Sequence, residues 1–400
     1  MRVLGKIVNL TLAVLALPFV LLMRILSPFV NVRIFVLDLS RVGHVLPHFD
    51  MYISRREASL NDSHNFDVFC FNRGKVANYQ IKKMLERTIP IFPFAFWVDK
   101  VNRHIPGWER HVVSSRTRLH CDLIDTGSTN LSFSEEEHEQ GQRELRKLGV
   151  YQNNPFICFH ARDAAYLNTH QPQINWNYHS FRNADISNYV PAVEKLVSMG
   201  YFAIRMGRFV EKELKINNPK IIDYAVKNRT DFLDMYLSAN CHFFIAGSDG
   251  LAEMPTIFRR PVVWIDFVPF SALYLVIKGQ LFIPKKLWSL TENRMLTFDE
   301  MLNTKVAEYC RTEDYQKAGI EIINNSIDEI RDVTIEMEAR LNGIWNETKQ
   351  DKELQQEFCR IVHNVTKRKF LGRIGAGFLR QNQELLNKTV VNSCLVNCIE

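Results

Sequence analysis

Four short stretches hold residue types that bind anions, and three of them directly follow or end an apolar run of strand type. In His160-Ala161-Arg162-Asp163, behind Pro155–Phe159, the guanidinium can fork two donors onto one phosphate and the imidazole can add another. The plainer alternative pairs Arg162 with Asp163 or Asp185. Ser180-Phe181-Arg182-Asn183 is a polar loop with a second guanidinium and an amide. Arg205 lies inside the otherwise apolar run Tyr201–Met206, just before Gly207. A charge there needs a partner, which is either a neighbouring carboxylate or an anionic ligand. Gly247-Ser248-Asp249-Gly250, ahead of Leu251-Ala252-Glu253, reads as a strand-to-helix turn that turns backbone N–H groups toward a phosphate. Its alternative is a tight turn and nothing more. Read together, His160, Arg162, Arg182, Asn183, Arg205, Gly207, Ser248, Asp249 and Gly250 form one anion-binding set.

Other chemistries leave no trace. There is no Gly-x-Gly-x-x-Gly and no Gly-x-x-x-x-Gly-Lys-Ser/Thr, so neither common nucleotide fingerprint is present. Asp-x-Asp is absent, which argues against a carboxylate pair holding a divalent metal, and Gly-x-Ser-x-Gly is absent too. No metal and no cofactor are expected. The 50 basic and 44 acidic residues leave a net charge of +6, spread along the chain. That surplus suits an anionic ligand or a membrane surface and is too diffuse for nucleic acid. The eight cysteines contain no Cys-x-x-Cys; the one close pair is Cys394–Cys398, and reduced thiols in a cytosolic setting are expected.

The elements that must position these residues follow from the apolar pattern. At 400 residues, 46% hydrophobic and 24% charged, the chain is globular and long enough for more than one core. Arg2 and Lys6 precede an apolar run over Ile7–Met23, closed by Arg24. Residues 1–30 read first as a membrane-surface or re-entrant anchor, next as a single-pass span and last as a secretion signal. A chain beginning near Asn31 is expected to fold without them. Residues 31–133 form an α/β domain, with strands at Val32–Leu39 and Phe66–Phe71 and a helix starting near Gly43. Ser134 and Glu137 form a capping box for a linker helix over 134–150, ended by Gly149.

A second α/β domain covers 151–365. Strands are expected at 155–160, 201–206, 220–225, 242–246 and 261–265, alternating with helices, one of them capped by Ser187 or Asn188. Such alternation gives parallel sheets with crossover helices, whose ligands lie beyond the carboxyl ends of the strands. Ile320, Ile323, Ile327, Ile330, Met337, Leu341 and Ile344 imitate a heptad seam. Asn324-Asn325-Ser326 breaks it, and Ser326 with Glu329 caps a helix, so two consecutive amphipathic helices are expected instead. Residues 366–400 read as a basic amphipathic tail that returns to the first domain or touches lipid.

Phe159–Leu167, Phe181–Ile186, Ile204–Gly207 and Phe244–Ala252 resemble a family of bacterial glycosyltransferases associated with surface-polysaccharide biosynthesis. Arg41-Val42-Gly43-His44 and the two capped helices extend the resemblance over most of residues 35–385. His160-Ala161-Arg162 is also similar to the His-x-Arg of GT-B-like fucosyltransferases, and Gly247–Gly250 to the donor loop of GT-B heptosyltransferases. Asp163 stands where those fucosyltransferases carry a second Arg.

The resemblance implies two Rossmann-like domains of GT-B type, the first for the acceptor and the second for a nucleoside-diphosphate sugar. It implies metal-independent transfer to a surface-glycan or lipid-linked acceptor, at the inner face of the membrane. Arg162, Arg205 and the turn amides at 248–250 would stabilise the leaving diphosphate. The base that takes the acceptor proton is left open among His44, Asp163, Asp249 and Glu253. Two other readings use the same pocket: a sugar-nucleotide epimerase, and a non-catalytic, membrane-associated partner in polysaccharide assembly.

Overall fold

The computed structural model describes residues 2–57, 64–113, 129–151, 154–170 and 172–387. Cys394 and Cys398 lie outside them. The chain divides into two compact units, and neither is one continuous piece. Unit 1 is 1–141 with 230–239 and 256–259; unit 2 is 142–229, 240–255 and 260–400.

In unit 1 the two expected strands pair in parallel, β1 (Asn31–Leu37) with β2 (Asn65–Phe71), from Asn31 opposite Asn65 to Leu37 opposite Phe71. Single bridges extend the pair, Ile34 to Val112 on one side and Phe69 to Ile91 on the other. Among the described residues, the full Rossmann-like sheet expected here is reduced to two strands. Pro90 and Pro93 explain part of this, since a residue without an N–H cannot continue a ladder. The helices Tyr79–Thr88 and Ala95–Asn102 occupy the stretch instead.

The apolar amino-terminal segment forms a helix, α1 (Arg2–Leu26). It is not the separable piece expected from sequence. Ala16, Val20 and Met23, spaced along one face, are buried against Ile34, Cys70, Ala95, Trp97 and Val98. Arg24 fixes the end of the helix: Nε and Nη2 donate to Asn102 Oδ1 at 3.1 and 2.8 Å, and Nη1 donates to the Pro106 carbonyl at 2.9 Å. The rest of its surface leaves Leu10, Val14, Leu15, Leu22 and Ile25 exposed, while Phe19, beside the packed face, meets Phe94 edge-on at 5.4 Å. Among the described residues no helix is long and apolar enough to cross a membrane.

The three segments of unit 1 meet in an aromatic cluster. Phe133 stacks on Phe258 at 5.5 Å and meets Tyr236 edge-on at 5.3 Å. Arg259 binds buried Asp50 through two hydrogen bonds of 2.7 and 3.0 Å. The capping box at Ser134 is present, with Ser134 N–H donating to Glu137 Oε2 at 2.9 Å and Glu137 N–H donating to Ser134 Oγ at 3.3 Å.

Unit 2 is built on seven parallel strands in the order β12-β8-β7-β6-β3-β4-β5. These are β3 (Phe156–Phe159), β4 (Phe202–Arg205), β5 (Ile221–Ile222), β6 (Phe244–Ala246), β7 (Val262–Phe267), β8 (Leu281–Pro284) and β12 (Arg373–Ile374). Most of these strands are buried along nearly their whole length, as continuous apolar runs in a sheet covered on both faces must be. The chain starts at the centre, moves outward through β4 and β5, then returns to β6 and proceeds the other way. This is a doubly wound order whose direction switches between β3 and β6, where such sheets bind ligands.

Three sequence expectations change here. Asp185 opens the helical stretch before Val190–Ser198, in place of Ser187 or Asn188; its carboxylate accepts the Ser187 N–H at 3.0 Å. Ile320–Ile323 is not helical but forms β11, antiparallel to β9 (Lys286–Ser289), with β10 (Arg294–Met295) on the other side. A short run of β-branched residues before Asn324-Asn325 is better satisfied by an exposed ladder than by one turn of helix. The Ser326–Glu329 box then starts the Ile327–Leu341 helix as expected, and Lys349–Thr366 follows it. The third change concerns the tail, whose described residues do not form one amphipathic helix. Arg373–Ile374 adds β12 beside β8 in unit 2, followed by the short helix Ala376–Gln381 and a 3-10 turn at Gln383–Leu386, because Ile374, Phe378 and Leu379 find buried places there.

Candidate functional site

His160, Arg162, Ser248 and Asp249 all follow the carboxyl ends of β3 or β6, so the topological switch itself brings them together. Arg182 and Asn183 reach the same place from the Asn177–Arg182 turn. Arg182 donates from Nε to the Ser248 carbonyl at 2.8 Å, with Nη2 on the same oxygen. It thus clamps the Gly247–Gly250 turn.

Arg162 donates from Nη1 to the His179 carbonyl at 3.2 Å and to Asn183 Oδ1. Its Nε–Nη2 edge, the one that would fork onto a phosphate, makes no hydrogen bond to any described residue. The Asn183 carbonyl in turn accepts from Lys285 Nζ at 2.7 Å, and Lys285 also donates to Asn324 Oδ1 at 2.8 Å, keeping one N–H in reserve. Lys285 was missed in the sequence. It stands directly behind β8, the same signal that singled out His160 and Arg162, but Leu281–Pro284 was not among the expected strands.

Arg162 and Lys285 are buried and Arg182 is partly so, and no carboxylate lies within 4.0 Å of any of the three among the described residues. Burial lowers the Arg162 pKa to about 10, with the Arg182 charge pushing the same way. Burial lowers Arg182 as well. Lys285 is pushed down to about 8 by burial and by Arg162, against the attraction of Asp266. Asp266 is itself fixed by a reciprocal pair with Asn325, each backbone N–H donating to the other's side chain at 2.7 Å. Asp249, Asp163 and Asp266 attract these cations only from beyond contact distance, and a bound anion in contact would offset more of the cost of burying them.

Arg205 is different. It forms the plainer alternative: its guanidinium pairs with Asp223 at 3.2 Å and donates to the Lys212 carbonyl at 2.6 Å. Its charge is therefore already matched within unit 2. Arg205 still borders an open pocket of about 280 Å³, whose wall includes Asp163, Asn183, Asp185, Glu211 and Lys212.

The candidate bases separate by geometry. Both Asp163 oxygens accept backbone N–H groups, from Ala165 and from Glu211, each at 3.0 Å, so Asp163 shapes its loop. Glu253 is buried at the start of the five-residue Glu253–Ile257 helix. His44 is exposed in unit 1, in the first turn of the Val42–Glu57 helix, its ring 6.2 Å from that of His48. Asp249 accepts the Leu251 N–H on Oδ1 at 2.8 Å, while its buried Oδ2 has no partner. His160 accompanies it, with Nε2 3.6 Å from that oxygen and Nδ1 3.0 Å from the Met206 carbonyl. Gly207 makes room for this: its φ is 150°, and a Cβ there would meet Val210 Cγ1 at 2.9 Å and His160 Nδ1 at 3.6 Å.

The turn amides contribute less than the sequence implied. Asp249 N–H donates to the Gly247 carbonyl at 2.9 Å, and the Ser248 hydroxyl accepts from Val268 N–H at 3.1 Å. Among the described residues, no group of three or more His, Cys, Asp or Glu side chains is placed to hold a metal ion.

No protein-family model matches the chain, and neither does any curated protein. Among solved structures it is similar to a glycosyl transferase of family 9 from Veillonella parvula DSM 2008, with 12% identity and a TM-score of 0.35 over 59% of this chain and 80% of that one. The E. coli ADP-heptose lps heptosyltransferase II gives 13% identity and 0.36 over 58% and 84%. The iron-containing dodecameric glycosyltransferase TibC from enterotoxigenic E. coli H10407 gives 14% and 0.31 over 61% and 59%. Likeness this slight assigns neither family nor activity, so the functional reading stands on the site.

Proposed function

We propose that the chain is a glycosyltransferase that moves a sugar from a nucleoside-diphosphate sugar to a surface-glycan or lipid-linked acceptor, without a metal. One observation carries this reading. Arg162, Arg182 and Lys285, without a carboxylate in contact, meet through Asn183 and Ser248 beside the switch point of a doubly wound sheet. A diphosphate supplies the missing negative charge, and its departure as a leaving group is the step those cations would stabilise.

Thermal shift against UDP, GDP, ADP and their sugar conjugates tests it, because a ligand bound only by the folded state raises the melting temperature. Stabilisation by one nucleoside diphosphate is expected, and none by any would defeat the reading. With the bound nucleotide known, release of nucleoside diphosphate that depends on added glycan acceptor identifies a transferase. Turnover without acceptor and without release identifies an epimerase.

We further propose that α1 rests on the cytoplasmic face of a membrane, lying in its plane. Unit 1 covers one face of the helix, while Leu10, Val14, Leu22 and Ile25 remain exposed away from it, as in a helix dipping into the headgroup boundary. Flotation with anionic phosphatidylglycerol vesicles should recover the full chain. Simultaneous Leu10→Asp, Val14→Asp and Ile25→Asp substitution should abolish recovery, and undiminished recovery would refute the proposal.

A further inference from the structure

His160 and Asp249 face each other in a way that the hydrogen bonds around them leave unfinished. A backbone carbonyl only accepts, so the 3.0 Å contact with Met206 oxygen places a proton on His160 Nδ1 in either charge state. The neutral ring therefore carries its lone pair on Nε2. That nitrogen points at Asp249 Oδ2, 3.6 Å away, too far for a hydrogen bond and with no proton between them. The carboxylate side chain is 9% exposed, and Oδ2 is a buried acceptor without a donor. Two acceptors held side by side, both nearly enclosed, make a place where a proton is received.

Asp249 faces the ring from the loop after β6, Arg162 and Asp163 share the ring's own loop, and the Arg162 and Arg182 charges interact with Asp249. Once the ring has taken a proton, the Asp249 carboxylate facing Nε2 is the counter-charge to the imidazolium. Asp163 is occupied by two backbone donors and cannot compete for the role.

We infer that His160 is the general base of the proposed transfer, with Asp249 as its electrostatic partner and the Met206 carbonyl as its orienting group. The inference rests on the glycosyltransferase reading and names the residue which that reading leaves open. An acceptor hydroxyl donates its proton to His160 Nε2 while its oxygen forms the bond to the anomeric carbon. The bond from that carbon to the diphosphate oxygen breaks, and its electron pair leaves on the diphosphate beside Arg162 and Lys285. The imidazolium later returns the proton to solvent. His160 thus belongs with the reacting hydroxyl rather than with the donor phosphates.

The test has two arms. Long-range ¹H–¹⁵N correlation spectra of the full protein, with His160 assigned by its absence in His160→Asn, report the tautomer directly. The Nδ1-protonated form is expected, and the Nε2-protonated form would overturn the inference whatever the substrate is. The second arm uses UDP-glucose, GDP-mannose and ADP-glucose as probes and follows hydrolysis, with water in place of the acceptor. His160→Asn keeps a donor toward Met206 oxygen but has nothing at Nε2. It should bind the stabilising nucleoside diphosphate like the parent protein and lose hydrolysis roughly 100-fold or more. Undiminished hydrolysis, or loss of nucleotide binding, would overturn the inference, the latter in favour of a donor-binding role. Failure of the glycosyltransferase reading looks different: no nucleoside diphosphate binds the unaltered protein.

Discussion

A nucleoside diphosphate that binds beside Arg162 should draw a proton onto Lys285. The free protein holds this lysine at about 8, against an ordinary value of 10.5, chiefly because burial disfavours the ammonium. A neighbouring anion reverses that preference and returns the pKa toward its ordinary value. At pH 9 about nine-tenths of free molecules carry a neutral Lys285, so binding takes up roughly 0.9 proton; at pH 7 the uptake is about 0.1. The sign for stability follows from the same shift. Between pH 8 and 10.5 the unfolded chain binds more protons than the folded one, so the ligand-free protein gains stability as pH rises through that window, by at most ~3 kcal/mol. Titration calorimetry with the stabilising nucleotide, in two buffers of different ionisation enthalpy, measures the uptake directly. Lys285→Met should abolish it. Uptake near zero at pH 9, or equal uptake in Lys285→Met, would refute the placement of Lys285 beside the ligand.

Other outcomes follow from the same geometry. Arg162→Lys keeps the charge but loses the free Nε–Nη2 edge, so nucleotide affinity measured by calorimetry should fall about 10-fold or more while the melting temperature holds. Activity should survive EDTA; loss on chelation that Mn²⁺ or Mg²⁺ restores would remove the metal-free part of the reading. Met23→Ala should cost about 2–4 kcal/mol in denaturant unfolding, since Met23 is buried in the unit 1 core; no loss would make α1 the separable piece expected from sequence. Burial alone would raise the Glu137 pKa, but donors from Lys83, Gln80, Ser134 and Arg87 outweigh it and bring it to about 2. The stability this gives is present above about pH 4.5 and fades as pH falls toward 2, so Glu137→Gln should lower the melting temperature at pH 7 and not at pH 2.

Strands buried on both faces were the easiest elements to read, because Phe156–Phe159 and Val262–Phe267 can only be apolar runs. Reciprocal caps at Ser134 and Ser326 were legible for an equally local reason. What failed depended on distant partners. Ile320–Ile323 has helical spacing with the residues behind it, and only pairing with Lys286–Ser289 makes it a strand. Arg373–Ile374 looks like tail until β8 is there to receive it. Of the site, Arg162 and Arg182 were visible as charges at strand or loop ends. That Arg205 is matched by Asp223, and that Lys285 joins Asn183, depends on three-dimensional neighbours that composition does not show.

Unit 1 is assembled from three segments, two of them threaded through the sequence of unit 2, and this sets an order of events during synthesis. Asp50 emerges from the ribosome long before Arg259, its partner 209 positions later, and Phe133 must wait for Tyr236 and Phe258. The amino-terminal unit therefore cannot finish folding first, contrary to the usual progression of domains from the amino terminus. Until residue 259 has been translated, a carboxylate bound for the interior and a set of aromatic rings remain open to chaperones and proteases. A gene split near residue 150 would yield two unfinished pieces, competent only if they were expressed together.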